Sequence, residues 1–263
     1  AQLLFGWSYT HADCFILCYS WSLFPSSKLE RIKMTTEKKQ QFVRYAFYKI
    51  DPAWRRLDGD LKNQSINQFV ETLQNFNSDL IVRTYSLMGT RSDAEMMIWS
   101  VSRELEQQQS FASGLMATTL GSYLEITYSY FAMTRRSMYV DVHEVEDKKD
   151  RTVLRPMDRP YLFVYPFIKT HEWYQLPMDE RQRMMEQHFE VGHKYPEVKV
   201  HTSYSFGLDD QEFVLGFETD NPSRFLDLVM DLRHAEQRPY TQKDTPIFTC
   251  ILKSAQETLD ALG

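Results

Sequence analysis

The apolar run YLFVYPFIK, from Tyr161 to Lys169, predicts a β-strand. Successive side chains of a strand point to opposite faces, so one face should carry aromatic rings and end in an ammonium group. That face comprises Tyr161, Phe163, Tyr165, Phe167 and Lys169. Tyr165 and Lys169 would lie roughly 13 Å apart on it, which suits a large, flat, anionic ligand. Pro166 lies on the other face and predicts an edge strand or a bulge.

A helix with one apolar stripe is predicted after this strand. Pro177 suits its first turn, and Asp179 and Glu180 favour its positive N-terminal end. The stripe consists of residues at steps of three and four, namely Met184, Met185, His188 and Val191. His188 should therefore point into the interior. It is either a hydrogen-bonded core residue or an axial ligand to a metal or haem iron.

The chain contains a weak internal repeat. The segment FYKIDPAWRRLD, which contains Trp54, resembles PFIKTHEWYQLP, which contains Trp173. These two residues are 119 positions apart (173 − 54), and Tyr85 and Tyr204 share that offset (204 − 85). A polar turn and an apolar strand follow in each half, MMIWSV in the first and FVLGFE in the second.

Each half also carries two helical patterns. The second half has the His188 helix and one that opens near Pro222. The first half has a helix at about 102–121, preceded by one whose stripe is Ile66, Phe69, Val70, Leu73 and Phe76. With closing strands at 123–130 and 247–252, each half has the β-α-β-β-α-β order of a ferredoxin-like unit. We therefore predict an α+β fold in which two sheets could merge into one larger core.

The predicted halves span residues 34–150 and 151–263, with the charged segment 142–158 as connector. Residues 1–33 show no clear hydrophobic period, and they lack the basic start and cleavage site of a secretory signal. We expect them to be an extension outside the core fold. Deleting them should leave the melting temperature and ligand binding almost unchanged.

Amino-acid composition and net charge limit the classes of protein to which this chain can belong. The 263 residues are 43% hydrophobic and 25% charged, as in a soluble globular protein. A net charge of −6 gives no general attraction to nucleic acid or anionic membranes. No apolar run is long enough to span a bilayer. The three cysteines form neither a disulfide framework nor a zinc-ligand spacing, which favours a reducing, cytoplasmic compartment.

The second half carries a dense set of short motifs. They are Tyr-Pro-x-x-Lys at 165–169, Trp-Tyr at 173–174, Leu-Pro-Met-x-Glu-Arg at 176–181, Met-Met-x-x-His at 184–188, Gly-x-Lys-Tyr at 192–195 and Gly-Leu-Asp-Asp at 207–210. Through them the chain resembles the chlorite dismutase family and, within it, the coproheme decarboxylase branch. The two-half layout extends the resemblance to most of the chain after Met34.

The resemblance implies tandem ferredoxin-like halves whose sheets form a β-barrel with the helices outside, assembled as a homopentamer. It also implies a haem-type macrocycle, haem b or Fe-coproporphyrin III (coproheme), in the second half. His188 matches the axial ligand of the iron. Glu236 lies near the acidic partner of that histidine, where a solvated Glu at a helix end is the alternative. Trp173 matches a pocket tryptophan, with ordinary packing as its alternative.

The resemblance also assigns several residues to the edge of the macrocycle. Tyr165 matches the tyrosine whose radical attacks a propionate, although it could also be a core or interface tyrosine. Lys169 matches a cation at the propionate edge. Either Arg151 or Arg155, which precede the Tyr165 strand, matches a propionate-binding arginine.

His201 departs from the pattern of the family. It lies 13 residues after His188 (201 − 188), at the position that faces the open side of the iron, where chlorite dismutases carry Arg. A histidine there is suited to act as the general base for peroxide. Alternation would place Lys199 and Ser203 beside it in a polar wall. A hydrogen-bonded strand histidine is the alternative.

The activity that the resemblance implies is oxidative decarboxylation of coproheme to haem b with hydrogen peroxide. Porphyrin and peroxide are then the expected partners. Two alternatives stay open at this point. One is a chlorite dismutase-like haem peroxidase or chlorite-decomposing enzyme, and the other is a non-enzymatic haem-binding protein.

Overall fold

The computed structural model describes residues 40–139 and 153–263. The first half contains β1 (Phe42–Ile50), α1 (Gly59–Asn75), β2 (Ile81–Ser86), β3 (Met96–Ser102), α2 (Leu105–Met116) and β4 (Leu124–Met133). The second half contains β5 (Tyr161–Lys169), α3 (His171–Gln175), α4 (Met178–His193), β6 (Lys199–Tyr204), β7 (Phe213–Thr219), α5 (Pro222–Leu232), β8 (Thr241–Lys243), β9 (Phe248–Lys253) and α6 (Ala255–Asp260). The β-α-β-β-α-β order expected for each half is present, with short additions in the second.

Eight of the strands close into one ring. Its order is β7-β6-β4-β1-β3-β2-β9-β5, and β5 pairs with β7 to complete it. The short strand β8 pairs with the end of β5. The halves have equivalent internal orders, β4-β1-β3-β2 and β9-β5-β7-β6, and meet where β4 pairs with β6 and β2 with β9. The fold is therefore α+β, with helices packed on the outer face of a shared sheet.

Alternation along the strands divides the core into three clusters. Residues on the inner face of the ring form one cluster drawn from both halves, which includes Tyr45, Trp99 and Val164. The outer face of the first half packs against α1, α2 and α6. The outer face of the second half forms a third, largely aromatic cluster with α5 and the end of α4, which includes Phe163 and Phe225.

Pro166 does not mark an edge strand. β5 lies inside the sheet, with β7 on one side and first β9 and then β8 on the other. Pairing with β9 ends at Val164 and pairing with β8 begins at Ile168, so Pro166 sits where no ladder partner is needed on that side. The register shift expected near the proline occurs between Ile168 and Lys169.

The helix ends follow ordinary capping rules. Asp58 caps α1 through the backbone N–H of Asp60, and Asn221 caps α5 through that of Ser223. Pro222 occupies the first turn of α5 as expected, and Pro177 is the residue that precedes α4.

Within the ranges 40–139 and 153–263, no helix is long and apolar enough to cross a membrane. The proposed extension at 1–33, most of the connector and Arg151 lie outside the described residues.

Candidate functional site

The outer face of the second half brings together four of the predicted site residues, Tyr165, Lys169, Trp173 and His188. Tyr165 of β5 pairs with Leu215 of β7, which pairs with Thr202 of β6, so their side chains share this face. The Tyr165 ring stacks on Phe217 with centroids 5.5 Å apart. Burial, followed by the charge of Asp244, raises the pKa of Tyr165, so its phenol stays protonated at neutral pH.

Part of this face is left uncovered. Val200 is 44% exposed, Thr202 is exposed and Leu215 is half-buried, although all three project toward the side where α4 and α5 pack. Exposed apolar side chains beside a buried aromatic cluster form a surface that a flat apolar ligand would cover. The face is therefore a candidate binding surface.

His188 lies on α4, on the stripe predicted from the sequence. Met184 is buried on the same stripe, and Val191 packs against the aromatic cluster. Desolvation and then the charge of Lys169 lower the pKa of His188 to about 4. The imidazole is consequently neutral at physiological pH, which is the form that binds a metal through a ring nitrogen.

Lys169 is buried at the end of β5. Its ammonium lies 4.2 Å from the centre of the Trp173 ring, which gives a cation–π contact. Desolvation and then the charge of Arg238 lower its pKa to about 7. Trp173 is itself buried and contacts Tyr240, so it forms the wall behind Lys169.

Gln237, and not Glu236, is the hydrogen-bonding neighbour of His188. The amide Nε2 of Gln237 lies 3.2 Å from His188 Nδ1, and the Gln237 Oε1 accepts from Lys169 Nζ at 2.5 Å. The Glu236 carboxylate is half exposed and pairs with Arg183 at 2.7 Å. The solvated helix-end alternative for Glu236 is therefore the one observed, because its carboxylate turns toward solvent and a surface cation.

Two arginines near Tyr165 were missed from the sequence. Arg233 and Arg238 share the carboxylate of Asp244, at 2.7 and 2.6 Å. The charges of all three residues act on the Tyr165 phenol, and that of Arg238 also acts on Lys169. The group carries a net positive charge beside the buried phenol, which is suited to a carboxylate-bearing ligand.

Arg155 is not part of this group. It is exposed and lines a surface depression with Asn77, Ile81 and Arg83 of the first half. The structure thus does not bring Arg155 to Tyr165 and Lys169.

His201, which was expected to face the open side of the iron, does not lie on the same face as Tyr165. His201 pairs with Gly216, one position from Leu215, and therefore points to the inner face of the ring. There its Nε2 lies 2.6 Å from Oε2 of the fully buried Glu218, and its ring packs against Trp99 at 5.3 Å. Ser203 shares that inner face, whereas the neighbouring Thr202 faces outward.

Comparisons with known proteins agree with this fold. The family model for chlorite dismutase matches residues 62–253. A coproheme decarboxylase from Mycolicibacterium smegmatis is 34% identical over 180 residues, which are 67% of this chain and 75% of that protein. A chlorite dismutase from Candidatus Nitrospira defluvii, solved in complex with imidazole, has a TM-score of 0.78 at 26% identity and covers 89% of this chain and 99% of its own.

A heme-binding protein from Thermus thermophilus shares the fold, with a TM-score of 0.74 at 22% identity, over 84% of this chain and 94% of its own. The family model covers well over half of the chain, and the Mycolicibacterium relative spans two thirds of it. This chain belongs to the chlorite dismutase family.

Proposed function

We propose that this protein is a haem-biosynthetic enzyme that binds coproheme and decarboxylates two of its propionates with hydrogen peroxide, leaving haem b. In each round a propionic acid side chain and one H2O2 give a vinyl group, CO2 and two H2O. The bound iron porphyrin supplies the peroxide-driven oxidising chemistry. The similarity to a coproheme decarboxylase supports this class of substrate.

The residues on the outer face of the second half fit a haem-type macrocycle. A flat ring needs an apolar wall, and Leu215, Val200 and the Tyr165–Phe217 stack provide one that is partly uncovered. An iron needs a neutral imidazole, and the lowered pKa of His188 keeps it neutral. Peripheral carboxylates need cations, which Lys169 and the two arginines at Asp244 supply.

The single observation that carries the proposal is the placement of Tyr165. Its phenol is buried on the ligand-facing side, close enough to Arg233, Arg238 and Asp244 for their charges to act on it. Because burial keeps the phenol protonated, its oxidation releases a proton together with the electron. The resulting phenoxyl radical can take a hydrogen atom from a propionate held by the neighbouring cations. The carboxylate then leaves as CO2 once a second electron has been removed.

The experiment compares Tyr165→Phe with Tyr161→Phe. Both phenols lie on the same face of β5, four residues apart, and each change removes one oxygen. Mass spectrometry follows coproheme, the singly decarboxylated product and haem b after peroxide is added. We expect Tyr165→Phe to bind coproheme near normally and to make almost no haem b, while Tyr161→Phe resembles the parent. Haem b formation by Tyr165→Phe at the parent rate would overturn the proposed mechanism.

Similarity to chlorite dismutases makes chlorite decomposition the second candidate. On the open face of β6 this chain places Thr202, a small neutral side chain, so that position supplies no cation for an oxyanion. We expect little oxygen on adding chlorite to the haem-loaded protein. A fast oxygen burst in an oxygen electrode would favour the chlorite-decomposing function instead.

A further inference from the structure

Gln237 joins Lys169 to His188 through a single amide. Lys169 Nζ donates to the side-chain Oε1 of Gln237 at 2.5 Å and to its backbone O at 3.2 Å. The Gln237 Nε2 lies 3.2 Å from His188 Nδ1. Gln237 is only 6% exposed, so water does not readily replace either partner.

The chemistry of these three groups determines where their hydrogens lie. Below pH 7 Lys169 is an ammonium, which only donates, so the amide must present its oxygen to it. The NH2 group of the amide is then directed at His188 and donates to Nδ1. A neutral imidazole that accepts at Nδ1 carries its proton on Nε2.

That proton arrangement opposes binding of a metal. Nδ1 is occupied by Gln237, so Nε2 is the nitrogen left to bind iron, and it must lose its proton. The proton would move to Nδ1, where it would meet the hydrogens of the amide. Turning the amide over removes this conflict at His188, because Oε1 then accepts from Nδ1–H. The NH2 group of the amide then faces Lys169, whose ammonium must turn away from the Gln237 side chain.

We propose that the Gln237 side chain is a positioning residue that adopts two orientations and thereby couples His188 to Lys169. This proposal rests on the proposed ligation of iron by His188. In the ligand-free position its oxygen holds Lys169 and its NH2 group holds His188 as the Nε2–H tautomer. In the second position its oxygen orients His188 for iron. Lys169 then keeps the backbone O of Gln237 and the Trp173 ring, and its remaining hydrogens are available for a ligand carboxylate.

The first test uses cofactor-free protein labelled with 15N at histidine and is run at pH 6, where Lys169 is charged and His188 is neutral. Two-bond 1H–15N correlation spectra distinguish the two imidazole tautomers, and His188→Phe assigns the signals. We expect the parent to favour the Nε2–H form by about fivefold or more, the preference that one ordinary hydrogen bond provides. Gln237→Glu should reverse this, because a carboxylate accepts from Lys169 and from Nδ1–H together. Gln237→Leu should remove the preference, and Lys169→Met should weaken it.

A parent in the Nδ1–H form, or a Gln237→Glu variant with an unchanged tautomer, would overturn the inference. Circular dichroism and melting curves confirm that each variant is folded. Because no macrocycle is present, this result does not depend on the proposed function.

The second test uses protein loaded with ferrous haem. If Gln237 orients the ligand, Gln237→Glu should raise the iron–histidine stretching frequency and lower the midpoint potential relative to the parent, because a carboxylate makes the imidazole a stronger donor. Unchanged values would overturn the positioning role. Absence of an iron–histidine band in the parent would instead reject His188 as the ligand, whatever the tautomer experiment shows.

Discussion

Breaking the buried pair of His201 and Glu218 is expected to destabilise the fold while leaving reactions on the outer face unchanged. His201→Leu removes one partner of a 2.6 Å contact and leaves the Glu218 carboxylate fully buried. The backbone N–H of Met157 still donates to it at 2.8 Å. Removing one partner of a buried pair destabilises by about 3–5 kcal/mol, so we expect a loss of that size.

Urea unfolding measures this loss. With a slope of about 2–3 kcal/mol per M, the midpoint of His201→Leu should fall by about 1–2 M. The double variant His201→Leu/Glu218→Gln should recover most of the loss, because a buried amide costs less than a buried carboxylate that has lost its partner, and it still accepts from Met157. Thr202→Val is the matched control. It changes the next residue of β6 on the exposed outer face and should stay within about 0.5 kcal/mol of the parent.

The His201→Leu variant also tests whether His201 takes part in the reaction on the outer face. Folded His201→Leu protein loaded with coproheme should react with peroxide at the parent rate in stopped-flow measurements, because His201 points away from the candidate site. The reasoning would be refuted by a variant of unchanged stability whose peroxide reaction slows by about a hundredfold. That outcome would restore His201 as a general base beside the macrocycle.

Two further predictions concern ligand binding. His188→Ala should abolish the iron–histidine stretching band and weaken retention of the macrocycle by about tenfold or more, where tenfold corresponds to about 1.4 kcal/mol of binding free energy. An unchanged band would show that another residue binds the iron. Arg233→Leu and Arg238→Leu should each weaken coproheme binding by about 10–100-fold in fluorescence titrations, since a hydrogen bond to a charged group contributes about 1.5–3 kcal/mol. Arg224→Leu, a change on α5 that breaks the ion pair of Arg224 with Glu197, is the control and should bind normally.

The strand and helix pattern of the second half could be predicted because its period is strong. The aromatic side chains of β5 alternate with aliphatic ones, and the structure places Phe163 and Tyr165 outside and Leu162 and Val164 inside. The α4 stripe was equally clear. Such patterns depend on local spacing alone, which the sequence contains.

The face of β6 could not be predicted in the same way. Its two sets of alternating residues are His201 and Ser203 on one side and Val200, Thr202 and Tyr204 on the other. The usual rule that apolar residues face inward would place Val200 and Tyr204 inside the ring. The inner face instead buries His201, which pairs there with Glu218. That pairing joins residues 17 apart through the β6–β7 register, which spacing within one strand does not reveal.

The partner of His188 was missed by a single position for a related reason. Glu236 and Gln237 are adjacent and both polar, and the resemblance to a family with an acidic partner for this histidine pointed to Glu236. The turn after α5 instead directs Gln237 inward, where a neutral amide bonds to Lys169 and His188, and leaves Glu236 to Arg183 in solvent. A buried carboxylate would have required more compensation than an amide.

Lys169 should make the stability of the protein depend on pH above neutrality. Its pKa is lowered to about 7 in the folded state, while an unfolded lysine titrates near 10.4. Between these values the unfolded chain binds the proton and the folded chain does not. Stability therefore rises with pH in this window, by about 1.4 kcal/mol per unit for this one group.

Lys169→Met isolates that contribution, because methionine has a similar length and does not titrate. Other groups change both proteins alike, so the free energy of unfolding of the parent should rise relative to the variant by about 2–3 kcal/mol between pH 7 and pH 9. Urea unfolding at several pH values measures the difference. A constant difference over this range would show that Lys169 keeps its ordinary pKa. If the difference rises as expected, the free protein holds Lys169 largely uncharged above pH 7, and binding of a carboxylate there must be accompanied by uptake of a proton.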